Sequence, residues 1–84
     1  MNDIREELSR YIKEEFEIAE DDQDFTMDVN LFDYGYVDSL DAANIISFVE
    51  GTYNIEVTQK DLMLNSMNTI NEIAEFVEKK AGQK

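Results

Sequence analysis

The chain has no cysteine, no histidine and no proline among its 84 residues. The missing cysteine excludes disulfides and thiolate-held metals, and leaves the redox compartment open. The missing histidine removes the usual general base and the commonest transition-metal ligand. The missing proline suits a helical chain with few rigid turns. Positive charge is scarce as well: 7 Lys and Arg stand against 20 Asp and Glu, a formal charge of −13. A field of that sign repels nucleic acid and anionic membrane surfaces, and steers the protein toward partners that display Lys and Arg. The plainer reading of the same charge is solubility alone. No apolar run approaches a membrane span, and Met1-Asn2-Asp3-Ile4-Arg5 enters an amphipathic pattern without a basic segment followed by an apolar stretch. The expectation is a cytoplasmic, monomeric protein with no membrane insertion, folded as a single domain over residues 1–84. Apolar residues make up 43% of the chain, enough for one small core.

Periodicity predicts an all-α fold with three longer helices, a short third helix, and a long loop between the first and second. Ile4, Leu8, Tyr11 and Ile12, with Phe16 at the margin, recur at helical spacing behind Asp3, an N-cap residue type, and Glu6 and Glu7 suit a first turn. The first helix is expected over about residues 3 to 16. Residues 19–38 lose the period. A structureless loop of that length is unusual in so small a domain unless it has a function, and Phe25, Val29, Leu31 and Phe32 are expected to anchor it in the core. A second helix begins at Ser39 or Leu40, capped by Asp38 or Ser39, with Ile45, Ile46, Val49 and Tyr53 on one face and weakened toward Gly51 and Asn54. Ile55 and Val57 alternate with Glu56 as a short extended link. Thr58 or Asp61 opens the short helix around Leu62, Met63 and Leu64. Thr69 and Glu72 have capping-box spacing, with Ser66 as an alternative cap, ahead of a face of Ile70, Ile73, Ala74, Phe76 and Val77. Lys79, Lys80 and Lys84 fall toward the end of that helix, where cations are favoured, and Gly82 closes it.

Ser39 admits three readings. As a nucleophile it lacks support: Val37 and Asp41 stand where a Gly-x-Ser-x-Gly elbow needs glycine, and no histidine serves as base. As a plain N-cap it is ordinary. As an acceptor of a phosphorylated group it sits where free backbone N–H groups and the helix dipole stabilise a phosphodiester.

The stretch Leu31-Phe32-Asp33-Tyr34-Gly35-Tyr36-Val37-Asp38-Ser39-Leu40 closely resembles the modification site of the acyl carrier protein family. Phe32-Asp33-x-Gly, the later Ser66 and the Ile70, Ile73, Val77 pattern also fall where that family has them. The resemblance covers nearly the whole chain and implies a four-helix bundle without catalytic residues. It implies a 4′-phosphopantetheine arm on Ser39, whose thiol, absent from the polypeptide, holds acyl groups as thioesters for delivery between enzymes of fatty acid, polyketide or related biosynthesis. Asp38 would orient the serine or the Mg²⁺ used by a phosphopantetheinyl transferase; its plainer role is capping. Leu40 and Ala43 would form the apolar part of a docking face, and Asp41 and Glu50 its acidic rim toward basic patches on loading and transferring enzymes. A solvated helix face is the simpler reading of the two acids.

Two departures narrow the expectation. Asn44, Ser47 and Gly51 are neutral where the well-known fatty-acid carriers place acids on the second helix. Tyr36 and Val37 separate Gly35 from Asp38 by two residues, as in D-alanyl carriers and several carriers of secondary metabolism, whereas fatty-acid carriers usually have one. The alternative is therefore a D-alanyl or aminoacyl carrier of cell-wall or non-ribosomal peptide pathways. A rival of another class is an unmodified acidic adaptor that docks through the second helix. The bundle interior, lined by Ile12, Leu31, Ile45, Ile46, Val49 and Ile73, is a candidate shelter for an acyl chain, which Tyr53 and Phe32 would restrict. Asp22, Asp24, Thr26 and Asp28 suggest a calcium loop, but Met27 stands where such a loop needs glycine and Asp33 replaces its closing glutamate, so no metal site is expected.

Overall fold

Each helix of this chain begins at a side chain that can satisfy its orphaned amides. The computed structural model describes residues 3–82, with α1 (Ile4–Glu15), α2 (Ser39–Tyr53), α3 (Gln59–Leu64) and α4 (Ile70–Ala81) in that order. Asp3 caps α1 by accepting the Arg5 N–H. The other three starts are reciprocal capping boxes: Asp38 with Asp41, Thr58 with Asp61, and Thr69 with Glu72. The expected first helix of about 3 to 16 is thus found one residue shorter at each end. Gly51 costs α2 about 1 kcal/mol relative to alanine but does not end it. The helix runs on to Tyr53 and closes where Asn54 turns left-handed, with φ at 54°.

Burial follows the predicted faces. Leu8 and Ile12 of α1, Ile45 and Val49 of α2, and Ile70, Ile73, Ala74 and Val77 of α4 form one hydrophobic cluster. Helix α4 packs against both α1 and α2. The long loop completes this core: Phe25, Val29, Leu31 and Val37 are buried, while Phe32 is half-buried. Leu31, fully buried, is also the loop's backbone anchor. Its N–H donates to the Asn68 carbonyl at 2.9 Å, and its own carbonyl accepts the N–H groups of Tyr36 at 3.0 Å and Val37 at 3.2 Å. A second strap joins Asn71 N–H to the Met27 carbonyl at 3.1 Å, and the Asn71 side chain accepts from Arg5 Nε at 2.8 Å. An irregular segment is therefore held by burial and by paired backbone groups, without a helix or strand of its own.

Helix α3 differs from the rest. None of its residues is buried, and Leu62, Met63 and Leu64 are exposed. Three consecutive residues cannot share one helical face, so an apolar triplet in a single-sided helix must leave some of its members outside. The helix is tied to α4 by the Lys80 ammonium, 2.9 Å from the Asp61 carboxylate. Lys79 and Lys80 occupy the last turn of α4 as expected, but Lys80 has this specific partner in addition to the helix dipole. Lys84 lies outside the described residues. Glu50 organises the α2–α3 link: its carbonyl accepts the Asn54 and Ile55 N–H groups, and its Oε2 accepts the Val57 N–H at 2.9 Å. Among the described residues no helix is long and apolar enough to cross a membrane.

Candidate functional site

Ser39 is exposed and occupies the first helical position of α2, one residue inside its cap. Asp38 adopts extended backbone and holds the N-cap: its Oδ1 accepts the Asp41 N–H at 3.0 Å, and Asp41 Oδ2 accepts the Asp38 N–H at 3.1 Å. Ser39 is consequently not needed as the cap, and its hydroxyl has no hydrogen-bond partner among the described residues. Asp38 and Asp41 each direct one carboxylate oxygen to a backbone N–H, and among the described residues no carboxylate accepts from the hydroxyl. The arrangement presents an oxygen to an outside reagent and supplies nothing to activate it.

The chain reaches this position through a tight approach. Gly35 takes φ of 79°, a left-handed conformation that a side chain adopts only with strain, and its surroundings are otherwise open. Asn30 Oδ1 accepts the N–H groups of Phe32 at 3.0 Å and Asp33 at 3.1 Å, and Gly35 N–H donates to the Phe32 carbonyl at 3.1 Å. Val37, 4% exposed, then drops into the core. The change from buried Val37 to exposed Asp38 and Ser39 fixes which side of the junction faces out.

Next to the serine the surface is apolar. Leu40 is 80% exposed, and Ala43 and Asn44 are exposed further along α2. Asp41 is half-buried and engaged in the capping box. Glu50 is half-buried and its carboxylate faces the Val57 amide, so this acid has a structural partner that its place in the sequence did not disclose. Between α2, α3 and the 65–68 segment runs a groove of about 390 Å³, apolar along α2 and α3 and polar at Asn65, Ser66 and Asn68. Leu31, Phe32, Ile45, Ile46, Val49 and Ile73 line it, together with the exposed triplet of α3. Ile12 lies in the bundle interior as expected but does not reach this groove: it is fully buried in the cluster that includes Leu8 and Val77. The exposure of Leu62, Met63 and Leu64 went unnoticed in the sequence, although an unbroken apolar triplet in a short helix was the available signal.

The local geometry suits a phosphodiester. The N–H groups of Ser39 and Leu40 have no acceptor among the described residues and stand at the positive end of a fifteen-residue helix. The carboxylates of Asp38 and Asp41 oppose this locally.

The family described as phosphopantetheine attachment site matches this chain over residues 6–77. The chain belongs to that family of phosphopantetheine-dependent carrier proteins, whose domain is the attachment site for covalent 4′-phosphopantetheine. The D-alanyl carrier proteins of Streptococcus pyogenes serotype M5 (strain Manfredo), serotype M49 (strain NZ131) and serotype M1 are each 38% identical to it over 52 residues. That match covers 62% of this chain and 66% of each relative's length. No solved structure matches the chain.

Proposed function

We propose that Ser39 is the residue that receives the 4′-phosphopantetheine group, and that the chain is a discrete, non-catalytic carrier of acyl or aminoacyl groups. The observation that carries this is the division of labour at the start of α2: Asp38 caps the helix, leaving the adjacent Ser39 hydroxyl exposed and unpaired. When bound, the group supplies the thiol that the polypeptide lacks, and with it the thioester linkage to cargo. The chain's own residues present the serine, hold the loop that leads to it, and offer Leu40 and Ala43 as an apolar docking surface. Asp41 and Glu50 add negative potential there even while making their internal bonds, which favours transferase and loading enzymes with basic patches.

An aminoacyl cargo of the D-alanyl type is supported by the names of the relatives and by the two residues between Gly35 and Asp38. The groove beside α3 favours a second reading, an acyl carrier of fatty acid, polyketide or related biosynthesis, because its apolar walls offer shelter for a hydrocarbon chain. Both readings take residues 1–84 as one cytoplasmic, monomeric carrier unit.

The attachment site is tested by incubating the protein with coenzyme A, Mg²⁺ and a phosphopantetheinyl transferase, then mapping the adduct by fragmentation. It is expected on Ser39; finding it on Ser9, Ser47 or Ser66 would overturn the assignment. Loading the modified protein in parallel with D-alanine and with a medium-chain fatty acid, each with ATP and an activating ligase, separates the cargo classes. If the acyl chain enters the groove, amide shifts should move at Ile45, Ile46 and Ile73; changes confined to the Ser39 loop would exclude sheltering.

A further inference from the structure

Tyr36 lies three residues before Ser39, within the two-residue segment that lengthens the approach from Gly35 to Asp38. Its phenol O–H donates to Asp22 Oδ2 at 3.0 Å, joining the end of the loop to an acidic turn fourteen residues earlier. That carboxylate is oriented independently, because Asp22 Oδ1 accepts the Asp24 N–H at 2.9 Å. The Tyr36 ring meets buried Phe25 edge-on, 5.3 Å between centroids at 90°, and lies nearly parallel to Tyr34 at 6.0 Å. Partial burial and the nearby carboxylates of Asp22 and Asp24 push the phenol up to about 12, so it remains a donor throughout the neutral range.

These contacts act on a short lever. On one side of Ser39, α2 is not anchored in the core until Ile45. On the other, the backbone is fixed at Leu31, Tyr36 and Val37, and few chain atoms separate the phenol's anchor from the serine. We propose that Tyr36, through its hydrogen bond to Asp22, is a positioning residue that holds the Ser39 hydroxyl in the presented geometry for the modifying enzyme. This rests on the reading of Ser39 as the modified residue. The bond sets the population of the presented conformer. Losing it raises the apparent KM of the transferase for this protein, and the turnover of the bound complex stays the same.

The test compares the 84-residue chain with its Tyr36→Phe variant, which removes one oxygen and keeps the ring packing. Transferase kinetics by intact mass should show KM raised about fivefold with kcat unchanged, the effect of one hydrogen bond. Asp22→Ala should match it, and Asp22→Asn, which keeps an acceptor, should recover part of the loss. Val77→Ala, a core change in α4 that leaves the Tyr36–Asp22 bond intact, should lower thermal stability without moving KM. Amide exchange of the unmodified protein gives an independent readout: the Asp41 and Ala42 N–H groups, both bonded to Asp38, should exchange faster in Tyr36→Phe while α4 is unaffected. An unchanged KM in Tyr36→Phe, or a KM that rises equally in Val77→Ala, overturns the proposal while the carrier reading stands. If the wild-type chain is never modified, the carrier reading fails instead. Amide exchange then decides the positioning role alone, and unchanged exchange at Asp41 and Ala42 overturns it.

Discussion

Asp38 and Asp41 satisfy each other's backbone across the first turn of α2, with Asp38 Oδ1 accepting the Asp41 N–H at 3.0 Å and Asp41 Oδ2 accepting the Asp38 N–H at 3.1 Å. Two like-charged carboxylates share the turn because each meets an N–H donor, in the helix end where anions are most stable. Truncating Asp38 to alanine should cost about 1 kcal/mol of unfolding free energy in urea, since it leaves the Asp41 amide uncapped. Asp38→Asn, which keeps an acceptor oxygen, should lose less.

The link between Asp61 and Lys80 predicts a pH response. The Lys80 ammonium and then the Thr58 backbone N–H hold the Asp61 carboxyl down at about 2, against an ordinary 3.8. A carboxyl lowered by folding contributes stability that is complete above its unfolded value and is lost as pH falls from about 3.8 through about 2. In Lys80→Met the Asp61 carboxyl should titrate closer to its ordinary value, while the Thr58 amide still holds it somewhat below. Carbon-detected NMR titration reads this directly; an unmoved titration would show that the ion pair does not form in solution.

Glu50 provides a prediction for the far end of α2. Its carboxylate accepts the Val57 N–H at 2.9 Å. Glu50→Ala should therefore cost about 1 kcal/mol and abolish protection of the Val57 amide against hydrogen exchange. Glu50→Gln retains an acceptor and should preserve that protection. Persistent protection in the alanine variant would contradict the role given to this side chain.

Leu31 should be the most sensitive position in the loop. It is fully buried, and both of its backbone groups are paired with distant parts of the chain. Leu31→Ala should cost about 2–5 kcal/mol, read by thermal or urea unfolding, because the cavity opens under the loop's only complete anchor.

What the sequence made legible was local. Asp3, Asp38, Thr58 and Thr69 are residues whose side chains reach amides two or three positions on, so each helix start is a short-range event visible in a few letters. The α4 face was equally readable, since Ile70, Ile73, Ala74, Phe76 and Val77 keep one period and are all buried. Ser39 could be singled out because its motif is contiguous. The contacts that place that motif were hidden: Tyr36 with Asp22, Glu50 with Val57, and Asp61 with Lys80 join residues by tertiary approach, and no period relates them. Val37 was missed for the same reason, a single buried residue in an aperiodic segment. Leu62, Met63 and Leu64 were legible in principle, because three consecutive apolar residues of a six-residue helix cannot all share one buried face.

The most direct measurement is a paired one on wild-type protein and Ser39→Ala, each incubated with coenzyme A, Mg²⁺ and a phosphopantetheinyl transferase. Because Asp38 is the cap, Ser39→Ala should unfold within about 0.5 kcal/mol of the wild type, so its chemistry is tested on an intact fold. Wild-type protein should gain the mass of one phosphopantetheinyl group and the variant should gain none. A wild-type mass that stays unchanged with several competent transferases, or an alanine variant that gains the same mass, would contradict the assignment of Ser39.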